Sequence, residues 1–156
     1  MEQNNKTKHT NFYVVGLNYK KADAEIRGKF SLNDQSKSQL LDQAKCDGIE
    51  SMIAISTCNR TELYGFAEHP FQLISLLCKF SNGTVDDFQQ VAYVHKNSEA
   101  VSHLFKVGTG MDSQILGDFE IISQVKTGFI DAREKGLTTN YFERLVNAVI
   151  QASKRI

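Results

Sequence analysis

Two β-patterned runs, Glu50–Ser56 and Thr61–Ala67, are separated only by Thr57–Arg60. So short a connection closes an antiparallel hairpin, because parallel neighbours need a crossover of about a dozen residues or more. The hairpin commits the chain to an antiparallel sheet and places Cys58 on its connecting loop. Asn11–Leu17 reads as an earlier strand and Val91–Val94 as a later one. Between the strands the apolar period becomes helical. Ala22–Gly28 reads as a short helix. Ser31 or Asn33 caps a second one, which buries Leu40, Leu41 and Ala44 and stops at Gly48. Pro70 suits the first turn of a third helix, which runs to about Phe80. Strand, helix, strand, strand, helix, strand is the ferredoxin-like βαββαβ order, so the expected fold class is α+β.

Past His95 no further strand is indicated. Ser98 and Glu99 start a helix that carries Ala100, Val101, Leu104 and Phe105. A glycine-punctuated stretch, Gly108 to Gly117, follows it. Asp118 then opens a helix with Phe119, Ile122, Val125, Phe129 and Ala132 on one face, ended by Gly136. Phe142, Leu145, Val146, Val149, Ile150 and Ile156 recur at helical spacing with no stop signal, which reads as a chain cut inside a longer helix. The expected plan is a polar tail (1–10), a sheet subdomain (11–96) and an all-helical subdomain (97–156). Val149 and Ile150 are expected to be exposed and to favour self-association.

Composition excludes several classes. The chain has 156 residues, 41% of them hydrophobic, which is enough for a core without disulfide staples. Lys+Arg and Asp+Glu both number 18, so net charge gives no reason to expect wholesale nucleic-acid binding. The 3 cysteines are odd in number, widely spaced and without a CxxC pair, and no signal peptide or long apolar run accompanies them. Reduced thiols in a cytoplasmic protein follow, with Cys46 structural and Cys78 in the core. The 4 histidines form no ligand-spaced pair, so no metal is expected.

Chemistry concentrates in Ser56-Thr57-Cys58-Asn59-Arg60-Thr61-Glu62. A free thiol is only a few per cent thiolate at neutral pH, and a guanidinium nearby favours the charged form. Most free cysteines are inert fillers. Polar neighbours such as these have no use around an inert thiol. Gly108–Gln124 forms a second constellation, in which Ser113, Asp118, Glu120 and Gln124 offer donors and acceptors for a substrate-binding rim or, more plainly, helix caps. It is neither GxGxxG nor a Walker loop. His103, just before it, reads either as a boundary histidine or as a general acid–base.

These residues resemble the glutamyl-tRNA reductases. The resemblance rests on Gly16-Leu17-Asn18-Tyr19-Lys20 with Glu25-Ile26-Arg27, on the Cys58 heptapeptide, on His103-Leu104-Phe105-Lys106-Val107, and on Gly110-Met111-Asp112-Ser113 through Gln124-Val125-Lys126. It implies that Cys58 attacks the ester of glutamyl-tRNA to give a glutamyl thioester. NADPH then reduces the thioester to glutamate-1-semialdehyde for tetrapyrrole and heme biosynthesis. Thr57, Asn59, Arg60, Ser113, Asp118, Phe119, Glu120 and Gln124 would line the glutamate pocket, and His103 would protonate the departing ribose oxygen. The family also implies a NADPH-binding domain, a dimerisation domain and a spinal helix whose start would be the last segment here; no dinucleotide fingerprint occurs in this chain, so no reduction is expected of it alone. Gly117-Asp118-Phe119-Glu120 departs from the family's Gly-Glu-Pro-Gln, and a carboxylate at Glu120 should weaken binding of an anionic substrate. The rival readings are a non-catalytic RNA- or protein-binding module, with Tyr64 and Phe66 on its sheet, and a cysteine hydrolase with a Cys58–His103 dyad.

Overall fold

The computed structural model describes residues 9–112 and 120–155. Its elements are β1 (Asn11–Asn18), α1 (Ala24–Lys29), α2 (Asp34–Cys46), β2 (Met52–Ser56), β3 (Arg60–Ala67), α3 (Pro70–Phe80), α4 (Val85–Val91), β4 (Tyr93–Lys96), α5 (Ser98–Gly108), α6 (Glu120–Glu134) and α7 (Asn140–Ser153). The four strands form one antiparallel sheet in the order β2-β3-β1-β4, as the split βαβ reading requires. Helices cover both faces of the central strands, which is why β1 is an unbroken buried run from Phe12 to Asn18.

Register sorts the side chains. Gly16 lies opposite both Glu62 and Tyr93, Val14 opposite Tyr64 and His95, and Phe12 opposite Phe66. With Ile53 and Ile55 of β2, these residues make one face, because side chains alternate along a strand. Helices α5, α6 and α7 pack on that face. Phe12 meets Phe142 at 6.1 Å, and the Tyr64 ring lies 6.3 Å from His103. The other face, with Val15, Leu17 and Leu63 fully buried, carries α2 and α3. Asn97 makes the turn from β4 into α5 at a positive φ of 52°. Its side chain accepts from the Phe12 N–H at 3.0 Å, which ties that turn to the sheet.

Several expectations need correction. The stretch after Gly83 is a helix, α4, because Thr84 caps it through the Asp87 N–H and Asp86 and Asp87 suit its positive end. Phe88 then packs against Phe30 at 5.5 Å. Val91 therefore ends a helix, and the fourth strand begins at Tyr93. Asn33, not Ser31, caps α2. Cys46 is exposed at the end of α2 and Cys78 is only partly buried. Val149 is fully buried against Gly108, where a Cβ would lie 2.3 Å from a Val149 methyl. The absent side chain at Gly108 is what lets α5 and α7 approach.

Gly16 is equally constrained. A Cβ there would sit 2.6 Å from the Thr61 carbonyl oxygen and 2.7 Å from Glu62 Cγ, and the backbone partner cannot yield. Gly16→Ala should lower unfolding stability by about 3 kcal/mol, the upper part of the usual overpacking range, measured by urea denaturation.

Candidate active site

The β2–β3 turn is pinned from three directions. The Thr57 N–H donates to the Arg60 carbonyl at 2.8 Å, and the Asn59 N–H donates to Thr57 Oγ1 at 3.2 Å. From the end of β1, the Tyr19 N–H reaches the Asn59 carbonyl at 3.0 Å. Arg27 of α1 donates through Nε to the Cys58 carbonyl at 3.0 Å and through Nη1 to the Ala22 carbonyl at 2.7 Å. Cys58 itself is exposed, while Thr57 and Asn59 beside it are half-buried. A thiol on a fixed backbone and open to solvent can meet a large substrate without a rearrangement of the chain.

Arg60 is placed differently from the expectation. As the first residue of β3 it points inward, is 2% exposed, and turns its guanidinium toward Glu62 and Asp112. Nη1 lies 3.2 Å from Glu62 Oε2 and 3.2 Å from Asp112 Oδ2, and Nη2 donates to the Asp112 carbonyl. Strand alternation is the reason: Arg60, Glu62 and Tyr64 share the face beneath α5. The cation held against the Cys58 segment is therefore Arg27.

Glu62 is the centre of this network. Its fully buried carboxylate accepts from Arg60, from the Tyr64 hydroxyl at 2.7 Å, from the Tyr93 hydroxyl at 2.5 Å and from His103 Nε2 at 2.6 Å. Burial alone would raise its pKa, but the His103 bond and charge, Arg60 and Tyr93 lower it to about 2. Glu62 is thus ionised and acts only as an acceptor, so His103 Nε2 carries the proton it shares. Burial and the Glu62 charge push both phenols well above 10, so they remain donors. Burial also works against the Arg60 charge, yet Glu62, Tyr93 and Asp112 more than offset it and the guanidinium pKa is raised. Asp112 continues the chain of charge to Lys20 Nζ at 2.7 Å; burial raises its pKa, while Lys20 and Arg60 bring it below the usual carboxylate value.

The expected residues therefore fall into two groups. Thr57, Cys58 and Asn59 form the turn, and Arg60 and His103 meet at Glu62. Glu120 opens α6, and Gln124 follows four residues on along the same helix, half-buried. Ser113, Asp118 and Phe119 lie outside the described residues. The sequence reading missed Glu62, Tyr93, Asp112 and Lys20 as site members. The period-two spacing of Arg60, Glu62 and Tyr64 was the available signal for Glu62. Tyr64 is fully buried and bonded to Glu62, and Phe66 packs on Tyr141 at 5.7 Å, so these two rings are engaged within the fold and do not form an open platform for bases. His103 takes a carboxylate partner at Glu62. Among the described residues no three His, Cys, Asp or Glu side chains are grouped to hold a metal. A cavity of about 750 Å³ between α2 and α3, lined by Gln43, Asp47, Phe71 and Lys79 among others, shares no residue with this network.

Removing the Glu62 charge should leave Arg60 buried without its main counter-ion. Glu62→Gln is expected to cost about 3–5 kcal/mol at pH 7 by urea denaturation. The pH dependence carries a sign. The folded pKa of about 2 lies below the ordinary 4.5, so this stabilisation is complete above pH 4.5 and disappears as pH falls toward 2. Acid unfolding across that window should be shallower in the Gln variant.

The family model described as the N-terminal domain of glutamyl-tRNA(Glu) reductase matches residues 15–156. The chain is 70% identical over 156 residues to glutamyl-tRNA reductase of Flavobacterium psychrophilum, covering all of this chain and 38% of that protein. It is 62% identical to the reductase of Christiangramia forsetii, covering all of this chain and 37% of that protein. Identity to the reductase of Halalkalibacterium halodurans is 38% over 147 residues, 91% of this chain and 32% of that one. The solved glutamyl-tRNA reductase of Methanopyrus kandleri matches with a TM-score of 0.72 at 27% identity, over 92% of this chain and 34% of that one. The chain thus spans about a third of the length of the curated relatives it matches.

Proposed function

The chain belongs to the glutamyl-tRNA reductase family, as its N-terminal domain, and on that premise we propose that it performs acyl capture. The Cys58 thiolate attacks the ester carbonyl of glutamyl-tRNA, the bond from that carbon to the ribose oxygen breaks, and the oxygen takes a proton. Glutamate is left as a thioester on Cys58. An aminoacyl ester is already activated, so a positioned thiolate needs little further help. His103, with its Nε2–H committed to Glu62, has Nδ1 free to take the proton that the Cys58 thiol gives up and to pass it to the departing ribose oxygen, and Glu62 fixes the imidazole as a buried carboxylate does in other acid–base pairs. Thr57, Asn59, Glu120 and Gln124 would contact the glutamyl group together with Ser113, Asp118 and Phe119. Arg60 would lend positive potential to the pocket wall through its network, without direct activation of the sulfur. The observation that carries this reading is the exposed Cys58 on a backbone fixed by Arg27 and Tyr19.

The NADPH expected from the resemblance does not fit the residues described here. None of the strand-to-helix turns contains a glycine, and the sheet has no parallel pair to cradle a pyrophosphate. Reduction to glutamate-1-semialdehyde, its place in tetrapyrrole synthesis and a homodimeric state are proposed for the longer protein, with no step assigned to this chain. No helix among the described residues is long and apolar enough to cross a membrane.

Incubation with glutamyl-tRNA labelled in glutamate should transfer label to the protein, release it with hydroxylamine, and transfer none in Cys58→Ser. A Cys58→Ser protein that deacylates glutamyl-tRNA at the unmodified rate would remove the proposal.

A further inference from the structure

Glu99, Ser102, His103 and Lys106 recur at i, i+3, i+4 and i+7 and so share one face of α5. With His95 of the edge strand β4, they line an open cavity of about 430 Å³, a size that suits small-molecule ligands. His103 belongs both to this cavity and to the Glu62 network, so the cavity opens on the imidazole that acyl capture uses. One wall is made of rings: His95 stacks on Tyr93 at 5.5 Å and lies 4.9 Å from His103. Burial and the neighbouring His103 lower the His95 pKa, which favours a neutral ring at physiological pH.

The charged groups are also ordered. Glu99 and Lys106 are two turns apart, about 10 Å along the helix. A carboxylate at one end of a pocket accepts from hydroxyls, and an ammonium at the other attracts phosphate. Base stacking on a ring, a ribose hydroxyl and a phosphate are the three features of a ribonucleotide that proteins read. A merely solvated helix face would need neither the ring wall nor the concavity.

We propose that this cavity seats the terminal ribonucleotide of the acylated RNA, with its base on His95, its free ribose hydroxyl on Glu99 and Ser102, and its phosphate on Lys106. The inference rests on the acyl-capture reading, because the oxygen that leaves the ester belongs to that ribose.

Adenosine 5′-monophosphate, titrated into ¹⁵N-labelled protein and followed by NMR, tests the pocket without any reaction. Amide shifts should cluster at His95, Glu99, Ser102, His103 and Lys106, saturate at millimolar ligand, weaken about fivefold in Lys106→Met and persist in Lys106→Arg. In the Cys58 labelling assay, Lys106→Met should raise the half-saturating glutamyl-tRNA concentration by about fivefold. The proposal is overturned if the shifts map elsewhere, if inorganic phosphate alone reproduces them in full, or if Lys106→Met leaves half-saturation unchanged. Equal loss of capture from a nucleotide-free glutamyl thioester in that variant would overturn it too. Absence of label on Cys58 in the unmodified protein would instead sink the acyl-capture reading, and the titration alone would then decide the pocket.

Discussion

A single carboxylate buried beneath α5 governs the arrangement of this domain. An ionised glutamate removed from water costs several kcal/mol unless every lone pair is satisfied. Glu62 meets that condition with donors from three elements: Arg60 and Tyr64 on its own strand, Tyr93 on β4 and His103 on α5. The consequence is geometric. The helical part cannot shift along the sheet without stranding a charge, so the imidazole is held in place by the same bonds that fasten α5 to the strands. Gly16, opposite both Glu62 and Tyr93, leaves the room the carboxylate needs.

The mobility required of a nucleophile and the rigidity required of its surroundings are kept apart. Cys58 lies on a turn whose backbone is fixed by Arg27 and Tyr19 while its side chain stays exposed. The charges that hold the fold, Arg60 with Glu62 and Asp112, lie on the inward face of β3. Arg60 also joins the sheet to Asp112, four residues past the end of α5, and Lys20, two residues past the end of β1, binds the same Asp112. Three parts of the chain distant in sequence thus converge on one end of the sheet.

Much of this was legible in the residues. The close spacing of Glu50–Ser56 and Thr61–Ala67 fixed the hairpin, and the alternation of periods fixed the antiparallel α+β plan. The cap at Asn33, one of the two offered, and the proline at the start of α3 are local signals that the structure repeats. The α4 helix was hidden because Val91, Tyr93 and Val94 favour strands locally, whereas Thr84 and the burial of Phe88 decide the matter through contacts remote in sequence. The aim of Arg60 was misjudged for a related reason. Proximity along the chain suggested that it faces Cys58, but its guanidinium is taken up by Glu62 on its own strand and by Asp112 beyond α5. Neither Asp112 nor Tyr93 could be joined to Glu62 from sequence, since register between β1, β3 and β4 is set by the packed face and not by any local motif.

Helix α5 connects the buried network to the outer surface. Ala100, Leu104 and Val107 form its inward stripe and are fully buried, whereas Glu99, Ser102 and Lys106 lie on its outer side. His103 stands at the boundary between the two, partly buried, with one nitrogen on Glu62 and its ring against Tyr93 and His95. A histidine wholly inside the core would be satisfied but unreachable, and one on the outer stripe would be reachable but free to rotate. The boundary position gives both orientation and access, and only a helix with one apolar and one polar stripe over an edge strand supplies it. The placement of His103 is thus a consequence of α5's amphipathic pattern combined with the burial of Glu62, and altering either one would move the imidazole relative to the Cys58 turn.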